Sequence, residues 1–178
     1  MWLWVTEAGL RWLGLPYRDA GFYEEAELHH LAQITAIRLR LARRPENPES
    51  AWFRHSWISE RTIKASYPQP APGVVLPHLP DGALELDEDA QVKMERGIEL
   101  PMRRGERIAI EVELSRKDFA RLHTILPDLL QHYRGAWYFC EQKAYDAVVS
   151  AKQHLIEART LTKEQGTRIR VIHLQQEQ

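Results

Sequence analysis

The chain reads as an α/β protein with a mixed central sheet flanked by helices, and three observations predict it. From residue 107 to 174, runs that suit strands alternate with amphipathic stretches that suit helices, giving strand, helix, strand, helix, strand. Such alternation implies parallel pairing through crossover helices. Residues 136–140, Ala-Trp-Tyr-Phe-Cys, are almost continuously apolar, as a strand covered on both faces is. Residues 78–114 are short runs punctuated by Gly82, Gly97, Pro101 and Gly105, which reads as antiparallel strands. The full order is helix-strand-strand-strand-helix-strand-helix-strand.

Taken in order, residues 1–16 begin with an alternation of Trp2, Trp4 and Thr6 against Leu3 and Val5, then about two helical turns ending at Gly14, with Pro16 beyond. A strand this short needs partners: a preceding domain, another chain, or the main core of 17–178, on which the tryptophans would pack. Residues 21–44 read as a long helix with Leu28, Leu31, Thr35, Leu39 and Ala42 on its apolar stripe, acids at its start and arginines at its end. Residues 51–63 read as a strand around Trp57–Glu60, and the prolines at 68, 70, 72 and 77 mark an extended linker or a flexible flap. Asp87-Glu88-Asp89 reads as an acidic turn or a solvated edge. After the strand at 107–114, Ser115 and Asp118 have capping-box spacing. The stripe Phe119, Leu122, Leu126, Leu129 and Tyr133 predicts a helix that Pro127 kinks or restarts. Residues 144–158 predict a further helix and 168–174 a last strand.

Composition narrows the function. The 178 residues suit one domain with at most a small appendage, and a net charge of −1 gives no global basic field, leaving only a local nucleic-acid patch open. A single cysteine, Cys140, excludes an internal disulfide framework and any paired-cysteine metal knuckle. No run of 18 apolar residues exists and the start lacks a basic n-region, so neither a membrane span nor a signal peptide is predicted, and the expected location is cytoplasmic.

The chemistry concentrates in residues 107–117, Arg-Ile-Ala-Ile-Glu-Val-Glu-Leu-Ser-Arg-Lys. Side chains at i and i+2 share a strand face, so Glu111 and Glu113 point together while Ile108, Ile110, Val112 and Leu114 point the other way. Two like charges on one face repel unless a cation lies between them. Spacing alone leaves two readings open: a solvated edge strand with Lys117 as ion-pair partner, or a site for Mg²⁺, or Mn²⁺, held by Asp81, Glu111 and Glu113. In the second, Lys117 stabilises charge on a scissile phosphate. His78 and Glu60 are accessory candidates, with Glu27 a further acid. Adjacent His29 and His30 point about 100° apart on a helix and read as structural. Tyr133 and Tyr138 lie on apolar stripes and read as core.

The segment Pro80-Asp81, followed by Glu111-x-Glu113 in an apolar strand and then a helix, resembles the core of the restriction-endonuclease-like (PD-(D/E)XK) superfamily, whose usual pattern is proline-aspartate, then acid-x-lysine. More narrowly, the chain resembles the replication-relaxation family of plasmids and integrative elements. Leu28-His29-His30-Leu31 leading to Arg38-Leu39, Trp57–Arg61, His78–Gly82 and Ile108–Lys117 carry that likeness. The resemblance implies a restriction-endonuclease-like core and a metal-dependent DNA endonuclease or nickase in mobile-element transfer or replication. It implies Asp81, Glu111, Glu113 and Lys117 as the catalytic set, with Arg103, Arg104, Arg116 and Arg121 on the DNA backbone. It makes residues 1–16 the remnant of a winged helix, and DNA and other proteins of a mobilisation complex the partners. A homodimer is compatible with it, and no membrane is involved. Glu113 stands where the superfamily has lysine, so Lys117 must supply that function. Two alternatives stand beside this reading: a catalytically weak DNA-binding or complex-assembly module of the same fold, and an RNA or single-strand nuclease in defence.

Overall fold

The computed structural model describes residues 24–42, 53–68 and 77–174. The segment 1–16 and most of the proline-rich linker lie outside the described residues.

Strand β5 (Arg107–Glu113) is the middle of a five-stranded sheet. In spatial order the sheet runs β1 (His55–Ser59), β2 (Gly82–Leu86), β5, β6 (Gly135–Cys140), β7 (Ile169–His173). The β1–β2 and β2–β5 pairs are antiparallel, whereas β5–β6 and β6–β7 are parallel. The parallel half exists because helices α3 (Phe119–His132) and α4 (Gln142–Glu157) carry the chain back after β5 and β6. The mixed sheet flanked by helices is the predicted architecture.

Alternation along the strands divides the core into two layers. On one face Ala83, Ala109 and Ala136 stand side by side across three strands, and Leu122, Leu126 and Leu129 of α3 and Val148, Ala151 and Leu155 of α4 pack there. On the other, Leu84, Leu86, Ile108, Ile110, Val112, Trp137 and Phe139 are covered by α1 (Glu25–Leu41) and by a hairpin of β3 (Ala90–Lys93) and β4 (Glu99–Met102).

Several expectations change. Helix α1 turns a different stripe inward from the predicted one. Ile37 is buried with Ile34 and Leu41 against the sheet, while Leu31 and Leu39 are 45% and 53% exposed. The sheet offers a broad apolar face for branched side chains, and the isoleucine stripe fills it. The strand predicted over 51–63 stops at Ser59, whose Oγ accepts from the Thr62 N–H at 3.3 Å and caps α2 (Glu60–Ser66). The antiparallel region of 78–114 is divided, because the turn at Asp87–Asp89 sends β3 and β4 into a separate two-stranded sheet. Pro101 is tolerated there because it sits in a two-stranded ribbon. Ser115 does not cap α3. The N-cap is Asp118, so Lys117 lies in the connection and not on the helix. Pro127 lies inside α3 without restarting it. A short helix, α5 (Lys163–Thr167), was not predicted, although Thr162 and Gln165 form a capping box that the sequence displays.

Candidate functional site at the end of β5

The site forms where β5 ends, because β2 begins beside it in the opposite direction. Gly82 pairs with Ile110, so Asp81, one residue earlier, reaches the level of Glu111 and Val112. Its Oδ2 accepts from the Val112 N–H at 2.7 Å. Gly82 is required here, since a Cβ would meet Trp57 Cζ2 at 2.4 Å. The approach to Asp81 is pinned to α3, where Asp128 Oδ2 accepts from the His78 N–H at 2.7 Å.

Glu111 and Glu113 share the face under α3 and α4 and are 2% and 5% exposed. That overturns the solvated-edge reading, since β5 is central and both acids are buried. Lys117 Nζ lies 3.7 Å from Glu111 Oε2 and in direct contact with Glu113 Oε2. The other oxygen of Glu111, Oε1, is 2.8 Å from His78 Nε2. Glu111, Glu113, Lys117 and His78 therefore form one connected cluster, with Asp81 held beside it on the Val112 N–H.

His30 joins it from α1. Its Nε2 stands 2.9 Å from the Val112 carbonyl and 3.4 Å from Asp81 Oδ2. Reading it as merely structural missed this contact, whereas its neighbour His29 is exposed beside Gln33. A signal was present: His30 falls at helical spacing with Ile34, Ile37 and Leu41, the stripe that faces the sheet. Recognising it needed the choice of that stripe over the leucine one.

The electrostatics follow from burial and crowding. Burial, helped by the charge of Asp81, pushes the Glu111 carboxyl up against the opposing pull of His78 and Lys117. Burial works against the Lys117 ammonium, but Glu111 and Glu113 outweigh it and leave its pKa raised. The hydrogen bond to Asp81 raises His30 from 6.5 to about 9, even though burial opposes the charge. On β6, Tyr138 pairs with Glu111 and is fully buried; its hydroxyl has no hydrogen-bond partner among the described residues, and its pKa is well above the ordinary value from burial and then from Glu111. Tyr133 is buried as well, in agreement with the core reading of both tyrosines.

The remaining candidates separate. Arg116 precedes Lys117 and Arg121 is in the first turn of α3, both exposed beside the site. Arg103 and Arg104 occupy the β4–β5 turn, at the far end of a strand about 20 Å long. The four arginines are not one patch. Glu60 is exposed at the start of α2, and Glu27 accepts from the Glu24 N–H in the α1 cap, so neither enters the cluster.

As donors, Asp81, Glu111 and Glu113 offer hard carboxylate oxygens, the chemistry that Mg²⁺ and Mn²⁺ take. Among the described residues no group of three or more His, Cys, Asp or Glu side chains is gathered so as to hold an ion. No helix among the described residues is long and apolar enough to cross a membrane.

No family model matches the chain, and neither a curated protein nor a solved structure matches it.

Proposed function

We propose that the protein is a metal-dependent phosphodiester hydrolase with a restriction-endonuclease-like core, acting on DNA as an endonuclease or nickase in the transfer or replication of a mobile element. The observation that carries this reading is the reach of Lys117. It departs from the usual acid-x-lysine position, yet its ammonium lies against both Glu111 and Glu113. The four residues that the chemistry requires share one end of the sheet.

In this reading Asp81 and Glu111 hold the divalent cation, which when bound supplies Lewis acidity toward the phosphoryl oxygens. The protein's own groups do the rest. The Val112 N–H fixes the Asp81 carboxylate, and His78 fixes that of Glu111. Lys117, held by Glu113, stabilises negative charge that develops on the phosphate. Arg116 and Arg121 meet the adjoining backbone phosphates.

The test is incubation of supercoiled plasmid with the protein and Mg²⁺ or Mn²⁺, beside Asp81→Ala and Glu111→Ala. The expected result is nicking by the wild type, reduced about 100-fold or more in either variant. Equal nicking by all three would sink the assignment. A second reading, a DNA-binding or complex-assembly module that does not cut, rests on the same lysine: its ion pairs occupy the oxygens that a cation needs. Salt-sensitive DNA binding without cleavage in either metal would establish that reading.

A further inference from the structure

Charge is also unbalanced at the opposite end of β5, away from the acidic cluster. The β3–β4 hairpin leaves the main sheet after Asp87–Asp89, and the turn at Arg103–Glu106 brings the chain back into β5. Between these turns and Arg134, at the entry to β6, the surface opens a cleft of about 670 Å³. That size is ordinary for a small-ligand pocket. The two carboxylates of its wall are committed to backbone. Asp89 Oδ1 accepts from the Arg104 N–H and Glu106 Oε2 from the Arg103 N–H, both at 2.8 Å. The guanidiniums are less engaged. Arg134 Nε is 3.9 Å from Glu106 Oε2, beyond hydrogen-bond reach, and has no hydrogen-bond partner among the described residues. Arg103 lines the same cleft, and its side chain donates no hydrogen bond to the described residues. Behind Arg134, Arg168 gives its donors to the carbonyls of Arg134, Tyr133 and Leu130, which carry no charge to balance it. Burial and then Arg134 lower the Arg168 pKa, against a weaker pull from Glu164 and Glu106.

We propose that this cleft is a binding site for a small phosphate-bearing molecule, with the Arg103 and Arg134 guanidiniums receiving the phosphate oxygens. Planar guanidinium forks match phosphate oxygens in pairs. Ala90 and Pro101 offer an apolar wall to the rest of the ligand. A small ligand fits better than a nucleic-acid backbone, because the acidic turn Asp87–Asp89 borders the cleft and an extended polyanion laid across it would meet like charge. The site shares no residue with the acidic cluster, so it stands apart from the nuclease reading.

The experiment is a calorimetric titration of AMP, as a plain phosphomonoester, into the full chain in the presence of EDTA. The proteins are the wild type, Arg103→Ala, Arg134→Gln, Glu106→Gln and the double variant Arg116→Ala with Arg121→Ala, each fold checked by circular dichroism. The wild type is expected to bind AMP and not adenosine. Arg103→Ala and Arg134→Gln should each bind about tenfold more weakly, a charge-assisted hydrogen bond being of that size. Glu106→Gln keeps an acceptor for the Arg103 N–H and removes a negative charge from the wall, so it should bind about threefold more tightly. A folding defect does not produce that gain. The double variant, altered at the other end of the sheet, should match the wild type. The proposal is overturned by a folded wild type that does not bind AMP, by equal binding of adenosine, or by affinity unchanged in both Arg103→Ala and Arg134→Gln. A short DNA duplex that displaces AMP and depends on the same two arginines would overturn the small-ligand assignment in favour of backbone phosphates.

Discussion

At the scale of single residues, the site is an exercise in balancing buried charge. Glu111 and Glu113 have little solvent, and Lys117 is the cation that touches both. Removing one partner of a buried ion pair leaves the other uncompensated. Lys117→Met should therefore lower stability by about 3 kcal/mol in urea unfolding; a loss below about 1 kcal/mol would show that water reaches the acids. His30 gives a pH signature with a definite sign. Its pKa is raised on folding, from 6.5 to about 9. Its contribution is thus complete below its unfolded value and is lost as pH rises through about 9. In chelator, wild-type stability should decline over that window, and His30→Gln should show a smaller decline. Parallel curves would refute the assignment of the shift to His30.

At the scale of elements, the decisive events are ends and close approaches. Strand β2 starts at Gly82, where Trp57 of β1 occupies the space of a side chain. Strand β6 starts at Gly135, where space is short as well. A Cβ there would meet Met94 Cε at 2.6 Å and the Arg168 carbonyl at 3.0 Å. Methionine can move, but the backbone oxygen cannot without shifting the entry to β7. Gly135→Ala should cost about 2 kcal/mol by overpacking, read as a lowered urea midpoint at unchanged slope; no change in midpoint would mean that the β6–β7 approach is looser than described. Helix α3 tolerates Pro127 because its stripe of Leu122, Leu126 and Leu129 is buried, and packing there outweighs one missing backbone hydrogen bond.

At the scale of the whole molecule, the sheet separates two ends with different chemistry. The acids, Lys117, Arg116 and Arg121 lie at the end where β5 finishes, and Arg103 and Arg104 lie at the end where it begins. If DNA docks on the acidic cluster, only the first pair meets it. Replacing Arg116 and Arg121 together by alanine should reduce the slope of log affinity against log salt by about 2, while the Arg103 and Arg104 pair should leave it unchanged. An equal effect of both pairs would require a path that wraps the sheet.

How much of this was legible in the chain divides along physical lines. Period-two and helical patterns are local, so the mixed sheet, its crossover helices and the shared face of Glu111 and Glu113 were readable from residues a few places apart. Lys117 and Asp81 were picked out by the family resemblance, and the structure places Lys117 against both glutamates and Asp81 on the Val112 N–H. Other features depended on contacts distant in the chain. Which stripe of α1 turns inward was settled by the shape of the sheet face, and with it the arrival of His30 beside Asp81, separated from Val112 by 82 positions. The same holds for the departure of β3 and β4 into their own sheet and for the burial of both glutamates. Local pattern specifies which elements form and which side chains share a face. Only tertiary packing decided what stands opposite each face, and here that decided which charges the site must balance.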